Sequence, residues 1–218
     1  MNHFKPTLRG YPSRTPALRS RGSCRGFAVC NDRVVVFESH LELMVLFMLW
    51  TMVRVKEIVD QPKQITFIDD DGIERGHTFD FLVVLDDGTR ILIAVKPAAK
   101  LAHSGLRRKV RLIAEQLSPG VADRINIVTD ADFSYADRFN ATQAFECNRF
   151  PIPAHDDIIA SITENTIGAV KISDLVEKAG VGGAGYRAVV RCITSGLLAP
   201  AATRQRITAD SYVIRRHR

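Results

Sequence analysis

Cysteine is scarce in this chain, with four among 218 residues. Cys24, Cys30, Cys147 and Cys192 lack the density of a disulfide framework and the paired spacing of a zinc site. That pattern predicts a reducing, cytoplasmic setting with incidental thiols. Long apolar runs are also missing. Leu43–Val53 is the strongest, and a bilayer takes ~20 residues. Glu38, His40 and Glu42 block its extension backwards, so a buried core helix is expected and no membrane role. The N-terminal segment has no apolar stretch of the kind a secretory leader carries. No internal repeat is visible, the six histidines form no spaced metal pair, and no Ser/His/Asp arrangement stands out. Gly180–Gly185 lacks a preceding buried strand and a Gly-Lys-Ser/Thr ending, so it reads as a turn and not a phosphate loop.

Acid is absent from the first 26 residues, which hold Lys5, Arg9, Arg14, Arg19, Arg21 and Arg25. The rest carries 24 basic and 24 acidic residues, so the formal charge of +6 belongs to this segment. It is rich in Pro, Gly, Ser and Arg and buries too little apolar surface to fold alone. Two readings stand: a solvated tail, or an arm, including Arg14, that follows a phosphate backbone.

What is present is an α/β pattern. A β-branched run over 28–37 precedes a helix from Ser39 to about Met52. Val53–Val59 and Gln64–Ile68 read as strands around Gln61-Pro62, followed by the acidic turn Asp69-Asp70-Asp71-Gly72. His77–Val84 and Ile91–Pro97 read as two strands joined by Asp86-Asp87-Gly88. Gly105–Leu117 is a helix on the spacing of Leu106, Val110, Ile113 and Leu117. Its other face carries Arg107, Arg108, Lys109 and Arg111, candidates for a DNA backbone or a plain solvated face. A strand at Arg124–Val128 and a helix at Asp137–Glu146 follow.

Pro151-Ile152-Pro153 is the expected domain break. Beyond it come helices at His155–Glu164, Ile172–Lys178 and Tyr186–Ser195, then strands at Leu197–Pro200 and Arg206–Ile214. That order is winged-helix-like. Arg187 and Arg191 share one helical face. With Arg204, Arg206, Arg215, Arg216 and Arg218 they are either DNA contacts or the basic face of a protein-docking module. The chain is thus expected to hold an arm (1–27), a mixed sheet flanked by helices (28–152) and a small winged-helix-like domain (153–218).

The strand pair carries chemistry. Asp80 opens the first strand and Lys96 closes the second. That is the frame of a metal-dependent PD-(D/E)xK nuclease, in which carboxylates hold Mg²⁺ or Mn²⁺ on the scissile phosphate and a Lys orients the water or offsets charge. Asp80 and Val95, through its backbone carbonyl, are candidate metal ligands. Glu42 is a third, supplied by the preceding helix, with Glu38 in reserve. Ser39-x-x-Glu42 is also a capping box, and the two roles are compatible. Ala94 stands where the frame has its second acid. Asp80 and Lys96 also have plain readings, as a strand-edge Asp and a strand-end Lys. His77 and His103 are expected to be bystanders.

Glu38-Ser39-His40-Leu41-Glu42, Gln61-Pro62, Thr78-Phe79-Asp80-Phe81-Leu82-Val83, Asp87-Gly88 and Ala94-Val95-Lys96-Pro97 resemble, in order and spacing, the TnsA-type endonuclease subunit of heteromeric transposases. The Tyr11–Arg14 arm and the C-terminal pattern also suit that family. The resemblance implies a restriction-endonuclease-like fold and Mg²⁺-dependent strand cleavage of double-stranded DNA at transposon ends. It also implies an integrase-type transposase and an AAA-type ATPase regulator as partners. Glu42, Asp80 and Lys96 match the family's active-site positions. Phe79 replaces a Pro, and Ala94 replaces the acid. The latter leaves three readings open: a weakly active site with Glu38 or Glu42 compensating, a degenerate nuclease kept for DNA binding and assembly, or an introduced inactivating substitution. A stand-alone restriction or repair nuclease is a further alternative.

Overall fold

The structure is a computed structural model, and it describes residues 8–9, 24–30 and 33–216. Arg14, Arg218 and most of the basic arm lie outside the described residues. The chain divides into two compact units, one running to Trp50 and resuming over Arg54–Asp132, the other taking Thr51–Val53 and the chain from Phe133 on. The protein is of mixed α/β class. Among the described residues no helix is long and apolar enough to cross a membrane.

The first unit contains β1 (Leu8–Arg9), β2 (Gly26–Cys30), β3 (Arg33–Phe37), α1 (His40–Trp50), β4 (Val55–Asp60), β5 (Ile65–Ile68), β6 (Glu74–His77), β7 (Phe81–Leu85), β8 (Arg90–Val95), α2 (Ala98–Leu101), α3 (Leu106–Gln116) and β9 (Arg124–Val128). Its central sheet runs β4-β7-β8-β9. The first three strands are antiparallel, and β9 is parallel to β8. Alternation along the strands splits the sheet into two apolar faces. Leu82, Leu92 and Ala94 pack with Leu101 of α2 and Leu106 and Ile113 of α3. Phe81, Val83 and Ile93 alternate with them and are also buried. α1 is apolar on every side, which suits a helix buried within its unit, and it packs against β3, β4 and β8.

The sequence expectation of one strand over His77–Val84 is corrected here. β6 ends at His77 and pairs with β5 in a separate hairpin, whereas β7 begins at Phe81 and pairs with β8. Thr78–Asp80 is the turn between two sheets, so Asp80 sits just before a strand.

The second unit contains α4 (Tyr135–Asn148), α5 (Pro153–Glu164), β10 (Ala169–Lys171), α6 (Ile172–Ala179), α7 (Gly183–Thr194), β11 (Leu198–Pro200) and β12 (Tyr212–Arg215). Ser134 and Asp137 close a capping box at the start of α4. Ile159, Leu175, Ala188, Val189, Leu198 and Val213 form the core between the helices and the three-stranded sheet β10-β12-β11. α4 packs on α7 through Ala144, Cys147 and Val190. The expected break at Pro151–Pro153 therefore falls inside this unit, where Pro153 starts α5.

Candidate functional site

Asp80 is held from three sides. Its main-chain N–H donates to the Ile93 carbonyl at 2.9 Å, and its carbonyl accepts the Gln61 N–H at 2.9 Å. Its carboxylate Oδ2 accepts the Val95 N–H at 2.6 Å. The β4/β7 and β7/β8 ladders end at Asp60–Phe81 and Phe81–Ile93, so Asp80 sits just beyond the paired residues at the sheet end. Lys96 directly follows β8, its N–H bonded to the Val128 carbonyl at 3.0 Å. Val95, expected to act through its carbonyl, meets Asp80 through its N–H.

Ala94 is 2% exposed and belongs to the apolar cluster under α2 and α3. Its Cβ faces core.

Glu42 lies in the first turn of α1 as expected. Both of its oxygens serve the helix start: Oε2 accepts the Glu38 N–H at 2.7 Å, and Oε1 accepts the Ser39 hydroxyl at 2.8 Å. Ser39 Oγ in turn accepts the Glu42 N–H at 3.1 Å. Each carboxylate oxygen has a second lone pair, so the capping role leaves acceptor capacity. Asp60, at the end of β4, is 2% exposed and bonded by the Val36 N–H at 3.0 Å.

In the sequence Gln61 stands out only through the Gln61-Pro62 pair, at a strand break and in the family resemblance. Gln61 is 4% exposed with φ +42°, a left-handed conformation that costs a non-glycine residue ~1–3 kcal/mol. It also precedes Pro62, which narrows its options further. Its Oε1 is buried and has no hydrogen-bond partner among the described residues. The Gln-Pro pair between two strands was the one sequence signal available for it.

Among the described residues no group of three or more His, Cys, Asp and Glu side chains is placed to hold a metal ion. What the sheet end offers a hard cation is the Asp80 carboxylate, oriented by the Val95 N–H. Mg²⁺ takes one or two carboxylates and completes its shell with waters and phosphate oxygens. Asp80 is the one carboxylate at this sheet end that such an ion would take from the expected ligand set, with Glu42 engaged at the start of α1.

His77 is half-buried, its ring edge-on to Phe79 at 4.7 Å. Burial first, then the charge of Lys109, push its pKa from 6.5 down to about 4. It is a neutral packing residue beside the site.

The basic candidates separate by use. On α3, Arg108 pairs with Asp70 at 2.5 Å and Arg111 lies 3.9 Å from Glu115. Arg107 is exposed and Lys109 partly so. On α7, Arg191 is 5% exposed, forked onto Asp156 and bonded to the Cys147 carbonyl at 3.2 Å. Arg187 Nη2 donates to the Glu146 carbonyl at 2.7 Å. Both arginines therefore bind carbonyls in the last turn of α4, where cations suit the helix dipole. Arg187 and Arg191 share a face as expected: Arg191 is buried between α4 and α5, and Arg187 stays partly exposed.

The segment between β11 and β12 is likewise pinned to α4. Asn140 Nδ2 donates to the Gln205 carbonyl and its Oδ1 accepts the Ile207 N–H, at 2.9 and 2.8 Å. Tyr186 Oη donates to the Ile207 carbonyl at 3.0 Å. Arg206 lies 3.9 Å over the Phe139 ring. Arg215 donates to the Ala160 carbonyl at 2.7 Å and to Thr163 Oγ1 at 2.9 Å, so it too is structural. Buried Cys192, whose thiol burial pushes up to about 12, packs as an apolar side chain. No protein-family model and no curated protein matches this chain.

Proposed function

We propose that this chain is a DNA-acting subunit of the TnsA type, with metal-dependent strand cleavage at transposon ends carried by a restriction-endonuclease-like first unit and weakened by Ala94. The observation that carries the reading is the anchoring of Asp80 by Val95, with Lys96 as the next residue on the strand. A mixed sheet covered by α2 and α3 on one face suits the nuclease-like fold. A bound Mg²⁺ or Mn²⁺ would polarise the scissile phosphate and lower the pKa of its water. The residues do the rest. Asp80 presents an oriented carboxylate. Lys96 offsets charge on the phosphate or aligns the attacking water. Glu42 keeps the start of α1 closed and adds negative charge there. Arg107 and Lys109, exposed and partly exposed on α3, are the candidates for backbone phosphates.

In the second unit the order α5-β10-α6-α7-β11-β12 supports a winged-helix reading. The covering of α7 by α4 favours a protein-docking use of it, toward an integrase-type transposase or an AAA-type regulator, over a groove-reading one.

Cleavage of a transposon-end duplex with Mn²⁺ and the partner transposase tests the proposal, comparing the chain with Asp80→Asn and Lys96→Ala. Cutting by the parent chain alone supports it, and equal cutting by all three removes the site assignment. The burial of Ala94 favours a second reading, a non-catalytic DNA-binding adaptor on the same fold. Salt-sensitive duplex binding without cutting in any divalent metal is its signature.

A further inference from the structure

We propose that the outer edge of β9 docks an extended acidic segment of a partner protein, which joins the central sheet as a further strand.

β9 ends the sheet order β4-β7-β8-β9, so β8 pairs with one of its sides, and among the described residues no strand pairs with the other. On the β8 side the Val128 carbonyl accepts the Lys96 N–H. Backbone groups alternate sides along a strand, so Arg124 and Asn126 also turn toward β8. Ile125 and Ile127 therefore turn their N–H and C=O outward, where an added strand can bond them.

A groove follows this edge between β9 and α3. Val110, Ala114, Ile125 and Ile127 supply its aliphatic surface, and Arg107 and Arg111 supply its charge. Both arginines are exposed, as is Arg124 at the start of β9. Arg111 lies 3.9 Å from Glu115, an exposed pair too weak to neutralise it. Asp132 also lines the groove, but its carboxylate is engaged by the Thr129 N–H and hydroxyl.

Charged side chains ordinarily blunt a free edge against chance pairing. Here they carry one sign, so the edge selects as well as blocks. Two copies paired edge to edge would set arginine against arginine, which disfavours self-association. A duplex would meet the arginines but would leave the outward carbonyls and the aliphatic surface unused. An acidic strand uses all three features. Its backbone bonds Ile125 and Ile127, its apolar side chains cover the groove, and its carboxylates meet Arg107, Arg111 and Arg124.

The test is amide NMR of the full chain with a short peptide of alternating Glu and Val, beside its Lys-for-Glu counterpart. The Glu-Val peptide should shift the amides of Ile125 and Ile127 and slow their exchange with solvent, and added salt should weaken it. The Lys-Val peptide should not bind. Arg111→Glu combined with Arg124→Glu, both at exposed positions, should lower affinity for the acidic peptide at least about tenfold and admit the basic one. A Glu-Val peptide N-methylated throughout keeps the charge, loses the backbone donors and should not bind. Equal binding of that peptide would reduce the contact to charge and overturn strand addition. Absence of binding, shifts confined to other elements, or equal binding of the Glu-Val and Lys-Val peptides would overturn the proposal too. Concentration-dependent shifts of the same amides without peptide would assign the edge to a second copy. Displacement of the peptide by a short duplex that shifts them would assign it to nucleic acid. Either result overturns the proposal. If the double variant does not fold, the Lys-Val and N-methylated peptides decide on the parent chain.

Discussion

Arg191 and Asp156 form a forked ion pair between α7 and α5, with Nε and Nη2 at 2.8 and 2.6 Å from Oδ1. Arg191 is among the most buried charges of the second unit, while the Asp156 side chain keeps 29% of its exposure. Removing one partner strands the other. Asp156→Asn should therefore destabilise the protein by about 3 kcal/mol, the low end for buried pairs, read as a shift in denaturant midpoint. A change below about 0.5 kcal/mol would put the pair in the class of surface bridges.

DNA affinity should depend on α3 and not on α7. Arg107→Ala and Lys109→Ala should each lower duplex affinity and flatten its salt dependence by about one unit of slope. Arg187→Ala should leave the slope unchanged, because its guanidinium binds the Glu146 carbonyl. The reverse pattern in a salt titration would assign the DNA contact to α7.

Glu42→Gln separates cap from site. Gln serves a capping box as Glu does, so stability should stay within about 0.5 kcal/mol, whereas Glu42→Ala should cost ~1 kcal/mol. Cleavage by Glu42→Gln should nonetheless fall, since the charge is gone. Full cleavage by Glu42→Gln would confine Glu42 to the helix start.

Ala94→Glu places an acid at a position packed among Leu82, Leu92 and Leu101, where the proposed nuclease frame has one. Without metal it should destabilise on the order of 3 kcal/mol, the scale of an uncompensated buried charge. Mn²⁺ should recover much of that loss by binding the folded form. Thermal unfolding with and without Mn²⁺ checks both halves, and an unchanged Tm without metal would contradict the packing of Ala94.

His77 should give stability a pH dependence of one sign. The folded protein keeps the ring neutral down to about pH 4, whereas the unfolded chain takes up a proton near 6.5. Its contribution is complete above pH 6.5 and is lost as pH falls through that window. His77→Phe should remove this component from the pH profile of the denaturant midpoint. An identical profile in both proteins would show that His77 is not its source.

Much of the first unit was legible in the sequence. Leu106, Val110 and Ile113 announce α3 by their spacing, and Asp86-Asp87-Gly88 marks the β7–β8 turn, because these patterns are local. The break at Thr78–Asp80 was not legible. β-branched and aromatic residues run on through it, and only pairing with two different partners divides β6 from β7.

The sequence by itself determined the periodicities, the turn residues, the charge asymmetry and the presence of Asp80, Lys96 and Glu42 in order along the chain. Those properties depend on neighbours within a few positions. The tertiary structure alone decided what each polar group meets: that Val95 holds Asp80, that Ala94 faces core, that the Gln61 side-chain oxygen is buried without a donor among the described residues. It also decided that Arg187 and Arg191, candidate DNA contacts by sequence, bond carbonyls of α4. Hydrogen-bond partners and burial arise from residues distant in sequence, and no local pattern encodes them.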